Sequence, residues 1–197
     1  MLTGIHNETF NNLQLNAGAF VRDFDYTQYK DKAALKTAFA ALLETGEGLL
    51  GMTRGGGTFQ CTPTLRNIEG DGLRSPFVGG TVNDGWTVKL TGTLLEITPE
   101  NFAAAMMCAD KPETAGSATT IKLRTAIKRE DYLPKICWIG DTSQGYMLIE
   151  LQNALNVTGA NFTFTDKGEG TLPFEFQAHQ ANATNQDYAP CTVVFLT

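Results

Sequence analysis

The most regular alternation in the chain spans residues 86–98, W-T-V-K-L-T-G-T-L-L-E-I-T. Val88, Leu90 and Leu94 take one parity, and Thr87, Lys89, Thr91 and Thr93 take the other. A period of two with one polar set marks a β-strand with one wet face. At about 3.3 Å per residue such a run would extend roughly 40 Å, which is long for a small domain. It stops at T-P-E-N-F-A-A-A-M-M. There Thr98 is placed to cap a helix, Pro99 suits its first position, and Glu100 meets the positive end of the helix dipole. A second alternating stretch, T-F-Q-C-T-P-T-L-R-N-I, sets Phe59, Cys61, Pro63 and Leu65 against Thr58, Gln60, Thr62, Thr64 and Arg66. It is expected to end near Glu69.

Residues 18–26, G-A-F-V-R-D-F-D-Y, read as a first strand, with Phe20, Arg22 and Phe24 on one side and Val21 and Asp23 on the other. The period then changes. Leu35, Ala38, Phe39, Leu42 and Leu43 recur at helical spacing over 31–45, and Gly46 sits where a C-terminal cap belongs. After the D-K-P that ends the second helix, further strands are expected in T-T-I-K-L-R-T-A-I-K, P-K-I-C-W-I-G-D, L-P-F-E-F-Q-A-H-Q and the C-terminal C-T-V-V-F-L-T. A strand pair around Gly159 is expected from G-Y-M-L-I-E-L-Q-N-A-L-N-V-T-G and N-F-T-F-T-D. Many antiparallel strands with one or two helices predict a mostly β chain, a sandwich or barrel in one domain over 1–197. Trp86 and Trp138 each fall in a strand, where core packing is the default.

The run R-G-G-G (residues 54–57) poses the question of a phosphate loop. Such a loop needs Lys-Ser or Lys-Thr after its glycines and then a helix whose N–H groups hold the anion. Here a strand follows, and no G-x-G-x-x-G with a later acidic residue occurs. The run is therefore expected to be a flexible turn feeding a strand. A second glycine-rich stretch, 70–80, carries Gly70, Gly72, Gly79 and Gly80, which give it little intrinsic stiffness.

Composition narrows the function classes. The chain has 197 residues, 42 % of them hydrophobic and 18 % charged, which is a globular balance. No apolar run reaches bilayer-spanning length, and M-L-T-G-I-H-N-E lacks the features of a signal peptide, so a cytosolic protein is expected. The net charge of −6 offers no basic patch for gripping DNA. Cys61, Cys108, Cys137 and Cys191 are scattered, and His6 and His179 lie far apart, so no metal or other cofactor is expected. The cysteines then read as small buried apolar residues, and His179 as a surface or interface residue. Asp23, Asp25, Glu69, Asp71, Glu130 and Asp131 sit near strand ends or turns, where carboxylates are ordinarily solvated or capping rather than a glycosidase-like pair. No serine occupies a G-x-S-x-G elbow. Nothing demands an enzyme.

Several phrases in order carry a resemblance: G-A-F-V-R-D-F-D, C-T-P-T-L-R-N-I-E-G-D-G-L-R, V-K-L-T-G-T-L-L-E-I-T-P-E-N-F, E-D-Y-L-P-K-I-C-W-I-G-D, L-Q-N-A-L-N-V-T-G and L-P-F-E-F-Q-A-H. From about residue 18 to the end, the chain resembles the major tail (tail tube) proteins of long-tailed bacteriophages of Gram-positive hosts. The resemblance implies a β-sandwich subunit that closes into hexameric rings stacked as a hollow tube. That tube would surround the tape-measure protein, pass double-stranded DNA without sequence-specific binding, and reside in the virion after assembly in the host cytoplasm. It also implies that 31–45 is a helical insertion and that the 70–80 loop reaches the adjacent ring, with Asp71, Leu73, Arg74, Pro76, Phe77 and Val78 as contacts. Thr87, Lys89, Thr91 and Thr93 are expected to face the lumen, and Arg22, Lys89 and Arg124 to serve inter-subunit pairs or stand as isolated charges. Two other readings stay open: the inner tube of a contractile tail or phage-derived bacteriocin, and a carbohydrate-binding or hydrolytic β-sandwich module with a pocket of aromatics and carboxylates.

Overall fold

The computed structural model describes residues 4–6, 8–29, 31–183 and 186–197. Residues 1–3 and 7, part of the N-terminal octet read for a signal peptide, lie outside the described residues. In chain order the elements are β1 (Ala19–Arg22), α1 (Lys32–Thr45), β2 (Thr53–Asn67), β3 (Thr81–Leu94), α2 (Pro99–Ala105), β4 (Glu113–Ala115) and β5 (Ala118–Thr120). Then follow β6 (Leu133–Asp141), β7 (Tyr146–Asn156), β8 (Leu172–Gln177) and β9 (Cys191–Leu196). Strand accounts for 41 % and helix for 16 %, so the mostly β expectation holds.

The main sheet is antiparallel and runs β1-β6-β7-β8-β3-β2, with β9 also on β7. One edge of β7 changes partner along its length: Tyr146 to Leu151 pair with β9, whereas Leu155 and Asn156 pair with β8. Between them Asn153 takes a φ of 46°, a left-handed turn that lets the strand pass from one leaf to another. The leaves are β1-β6-β7-β9 and β7-β8-β3-β2, and they fold face to face. Phe20 of β1 and Phe174 of β8 are far apart along the sheet path, yet their rings meet edge-on at 5.1 Å. Around them the first core gathers Val88, Leu90, Leu94, Ile136, Trp138, Leu151, Leu172 and Phe176.

A second core lies on the outer face of the first leaf, where Val21, Cys137, Ile139 and Leu148 meet Leu35, with Phe39 and Leu42 packed alongside. The helix 31–45 is thus the cover of that face. Its ends follow the sequence: the Asp31 carboxylate accepts the Ala34 N–H at 2.8 Å, and Gly46 at φ 71° donates its N–H to Leu42 O. Leu43, placed on the apolar side by spacing, is 61 % exposed. Because β1 has a core on each side, Phe20 and Val21 are both buried, and the simple in/out alternation expected there does not apply. β1 is also shorter than the expected 18–26, since Asp23 turns left-handed at φ 54°. α2 begins as its sequence indicates, with the Thr98 hydroxyl accepting the Asn101 N–H at 3.2 Å. The buried Asn101 side chain then donates to Leu50 O at 2.8 Å, tying the helix to the core.

The triple glycine is not a turn before a strand; it is a bulge inside one. Thr53 pairs with Leu94 and Gly57 with Gly92, so β2 fits extra residues where β3 has only Thr93. Gly55 and Gly56 absorb them at φ 75° and 72°, a conformation side chains resist. At Gly57 a Cβ would lie 2.3 Å from Thr91 O and 2.7 Å from the Phe20 ring, so the leaves close only because that atom is missing. β3 starts earlier and stops sooner than the expected 86–98, because its ladder with β2 continues out to Asn67↔Thr81 and ends at Thr53↔Leu94. In T-T-I-K-L-R-T-A-I-K only the first residues join a strand; the rest is held by the Ala109↔Leu123 bridge and the Arg124 side chain. N-F-T-F-T-D forms no strand with β7, whose partners are β6, β8 and β9; Thr163 instead makes a single bridge to Thr171.

Leu90→Ala or Leu94→Ala should each cost about 2–5 kcal/mol in urea unfolding, while Thr87→Ala and Thr91→Ala should stay within about 1 kcal/mol. Equal losses on both parities would refute the assignment of faces. Gly57→Ala should lower the unfolding midpoint clearly. Gly85→Ala, with open space around its Cβ, should leave it nearly unchanged.

Candidate assembly interface

The outer face of the second leaf is built from the polar parity of three neighbouring strands. Thr58 pairs with Thr91, Gln60 with Lys89, Thr62 with Thr87, and on the other side Lys89 with Gln177 and Thr91 with Glu175. Thr87, Lys89, Thr91 and Thr93 therefore share a face opposite the buried Val88, Leu90 and Leu94, and each is half-buried by its neighbours. Lys89 Nζ sits 2.6 Å from Glu175 Oε1. The charge is cancelled where it arises, and the face presents hydroxyls and amides.

β8 supports only the Lys89 to Leu94 part of β3. Beyond the buried Val88 and its partner Cys61, β2 and β3 continue as a two-stranded arm whose apolar side chains are largely exposed. Trp86 pairs with Pro63 on the parity that belongs to the core, but the arm has left the core behind. Trp86 is 42 % exposed, and Leu65, Ile68, Leu73, Phe77 and Val78 are exposed as well. The expectation that Trp86 packs in the core fails for that reason, whereas Trp138 is buried and donates its indole N–H to Ala17 O at 2.8 Å.

The 70–80 loop is the tip of this arm. It consists of hydrogen-bonded turns: Leu73 N–H to Gly70 O, Gly80 N–H to Phe77 O, and Ile68 N–H to Gly80 O across the base at 2.7 Å. Gly72 and Gly79 supply the positive φ, and Phe77 lies over Gly80, where a Cβ would meet its ring at 2.7 Å. Asp71, Leu73, Arg74, Pro76, Phe77 and Val78 all fall on the tip and are exposed. Asp71 and Arg74 take part in no ion pair among the described residues. Along the arm, Arg66 holds Asp84 through Nε at 2.8 Å and Nη2 at 3.2 Å.

Two of the three cations expected between subunits or alone are paired within the chain. Lys89 is held by Glu175. Arg124 binds Asp131, Asp110 and the carbonyls of Ala109 and Ala126, so it braces the segment before β6. Sequence could not foresee either partner, because each lies on a different element.

Three of the six candidate carboxylates, Asp25, Glu130 and Asp131, are capping or pairing groups. Asp131 also accepts the Lys128 N–H, and Glu130 lies 3.3 Å from Lys128. The Asp25 carboxylate accepts the Thr27 hydroxyl at 2.6 Å and the Gln28 amide at 3.2 Å, and these bonds hold it below its ordinary pKa. Asp23 and Asp25 do share a groove of about 720 Å³ with Glu47, Tyr29 and Phe24, between α1 and the end of β1. Phe24, however, is buried in the second core. Glu69 and Asp71 lie apart from that groove, at the arm tip. No group of three metal-ligating side chains forms among the described residues. His179 is half-buried: its ring meets Tyr132 edge-on at 5.1 Å and its Nδ1 lies 3.2 Å from Asn153 O. Of the cysteines only Cys137 is fully buried; the other three are half-buried. No helix among the described residues is long and apolar enough to cross a membrane. Comparison with protein-family models and with curated proteins returned no match.

Beside the bulge, Arg54 grips Glu169 at 2.5 Å, and the hydrogen bond holds the Glu169 carboxyl below its ordinary pKa. A depressed folded pKa means that the pairing stabilises the fold above the unfolded glutamate value and is lost as pH falls through the folded one. Arg54→Gln should therefore move the NMR titration of Glu169 to higher pH. An unchanged titration would show that the pair is not what sets it.

Proposed function

We propose that the chain is a structural subunit that works by self-assembly, as the tail-tube protein of a long-tailed bacteriophage. Its rings, hexameric in this reading, stack into a hollow tube that encloses the tape-measure protein and later conducts double-stranded DNA. It would be assembled in the host cytoplasm, carried in the virion, and would have no catalytic role. The observation that carries the proposal is the β2–β3 arm. A two-stranded ribbon with Trp86, Leu65 and an apolar tip in water is marginal alone, and a contiguous exposed apolar surface is the mark of a partner site. A second copy supplies such a partner repeatedly, and contacts of this head-to-tail kind propagate into rings or filaments.

Two further features support the reading. β2 and β9 each have one neighbour in the sheet among the described residues, so their outer edges are open to pairing, and closing a ring edge to edge removes such edges; the outer edge of β1 is already taken by residues 48–50, through the Val21↔Leu49 bridge. The Thr/Gln face with its neutralised Lys89 suits a lumen wall, because unpaired cations would hold phosphates. The contractile-tail or bacteriocin tube differs in what surrounds the tube and rests on the same arm. A carbohydrate-binding module that used the groove at Asp23 and Asp25 would find Asp25 already committed to Thr27 and Gln28.

Concentrated purified protein should show rings or tubes with a central hole by negative-stain microscopy, and a strictly monomeric species across salt and concentration would refute the proposal. Replacing 73–78 with a short Gly/Ser turn should leave the unfolding midpoint within a few degrees of the parent and stop tube growth, leaving single rings. Tubes of normal length from that variant would show that the tip is not the stacking element.

A further inference from the structure

The open flank of the sandwich carries a pair of thiols that no site described above uses. Cys61 lies on β2, the edge of the second leaf, and Cys191 begins β9, the edge of the first. Their neighbours are stitched together. Cys61 stands opposite Val88, whose carbonyl accepts the Ala178 N–H; the next residue, His179, donates its N–H to Gln152 O; and Gln152 donates to Pro190 O, beside Cys191. Both side chains pack against the same first core, and both are half-buried. The two thiols thus face the same flank of that core, close enough for Cys61 to act on the Cys191 thiol.

We propose that Cys61 and Cys191 form a redox-dependent disulfide that staples the edge of one leaf to the edge of the other. The oxidant is a small-molecule disulfide. The Cys61 thiolate attacks one of its sulfurs, forming a mixed disulfide and releasing one small thiolate. That thiolate takes the Cys191 proton; Cys191 sulfur then attacks Cys61 sulfur and expels the second small thiolate, which takes the proton that Cys61 gave up. Two protein thiols are oxidised and one small disulfide becomes two small thiols. Cys191 suits the resolving role, because burial, with Cys61 beside it, pushes its thiol up to about 11 and leaves little thiolate to react first with solvent-borne oxidant. Cys137 is a poor competitor, since burial pushes its thiol up to about 12 inside the second core.

The cross-link would close a loop of about two thirds of the chain, and a long loop removes much freedom from the unfolded ensemble. It would also anchor β2 where it leaves the body to become the arm. In a reducing cytosol the thiols stay free; in an oxidising medium the flank locks. This is a property of the chain alone and does not rest on the tube reading.

The test equilibrates the purified full-length chain with glutathione and glutathione disulfide at rising oxidation ratio. Intact mass should fall by two hydrogens, with no glutathione adduct retained at the end point. Proteolysis should then yield one linked species, joining the peptides that contain Cys61 and Cys191. The oxidised form should unfold higher by on the order of 10 °C. Cys61→Ser and Cys191→Ser should each abolish the link and the gain, while Cys108→Ser keeps both. Stable glutathione adducts on Cys61 or Cys191, links to other cysteines in equal yield, or a linked protein with no gain in midpoint would each overturn the proposal.

Discussion

Because β7 bonds to β9 through its first half and to β8 through its last two residues, every contact between the leaves depends on how that one strand turns. The turn is made at Asn153 and secured by the side chain of Asn156, which is buried. Asn156 donates its amide to Ala105 O at 2.5 Å and accepts the Glu175 N–H at 3.0 Å, so one residue joins β7, α2 and β8. A buried amide stabilises only when its groups are satisfied, and here the partners come from elements that must be in place together. The Phe20–Phe174 contact and the closure over Gly57 follow from that bend.

Folding the sheet in this way leaves β2 and β3 with a problem that the body does not solve. Their inner ends are covered by the first leaf and β8, but the ladder continues past the point where any apolar surface faces it. The hydrogen bonds and the Arg66–Asp84 pair hold the ribbon's shape, yet an exposed ion pair contributes little. Trp86, Leu65 and the tip residues find no cover within the described chain. The second core shows the contrast: where the first leaf would have exposed its outer face, α1 was available to cover it. The arm has no such helix, and in the proposed assembly the cover is another copy.

Much of this was readable from residue order where local rules decide. The parity of Val88, Leu90 and Leu94 against Thr87, Thr91 and Thr93, the caps at Asp31, Gly46 and Thr98, and the strand at Leu172, Phe174 and Phe176 all depend on near neighbours. The misreadings share a different cause. Trp86 has the spacing of a core residue, but spacing does not say where the core ends. The R-G-G-G run has the look of a turn, and only the register against β3 reveals a bulge. Val21 and Phe20 are both buried because a helix distant in register packs behind their strand. Lys89–Glu175 was invisible because the pairing of β3 with β8 joins residues far apart in sequence, and Cys61 with Cys191 because the two leaves fold over one shared core.

The tip shows how far local chemistry prepares an interaction that it cannot complete. Glycine content alone argues for a mobile loop, whose ordering would oppose binding. In the folded chain the glycines occupy defined turns, Ile68 and Gly80 close the base, and Phe77 rests on Gly80. The backbone is thus already shaped, and what remains free is side-chain surface: Leu73, Phe77 and Val78 with Asp71 and Arg74 beside them. A preformed tip loses less freedom on contact than a floppy one, so more of the apolar burial survives as affinity. Unpaired charges of both signs at the rim then favour one register over others, since a shifted partner would meet like charge. Stiffness, apolar surface and charge pattern converge on the same few residues, which is what a repeated contact between identical subunits requires.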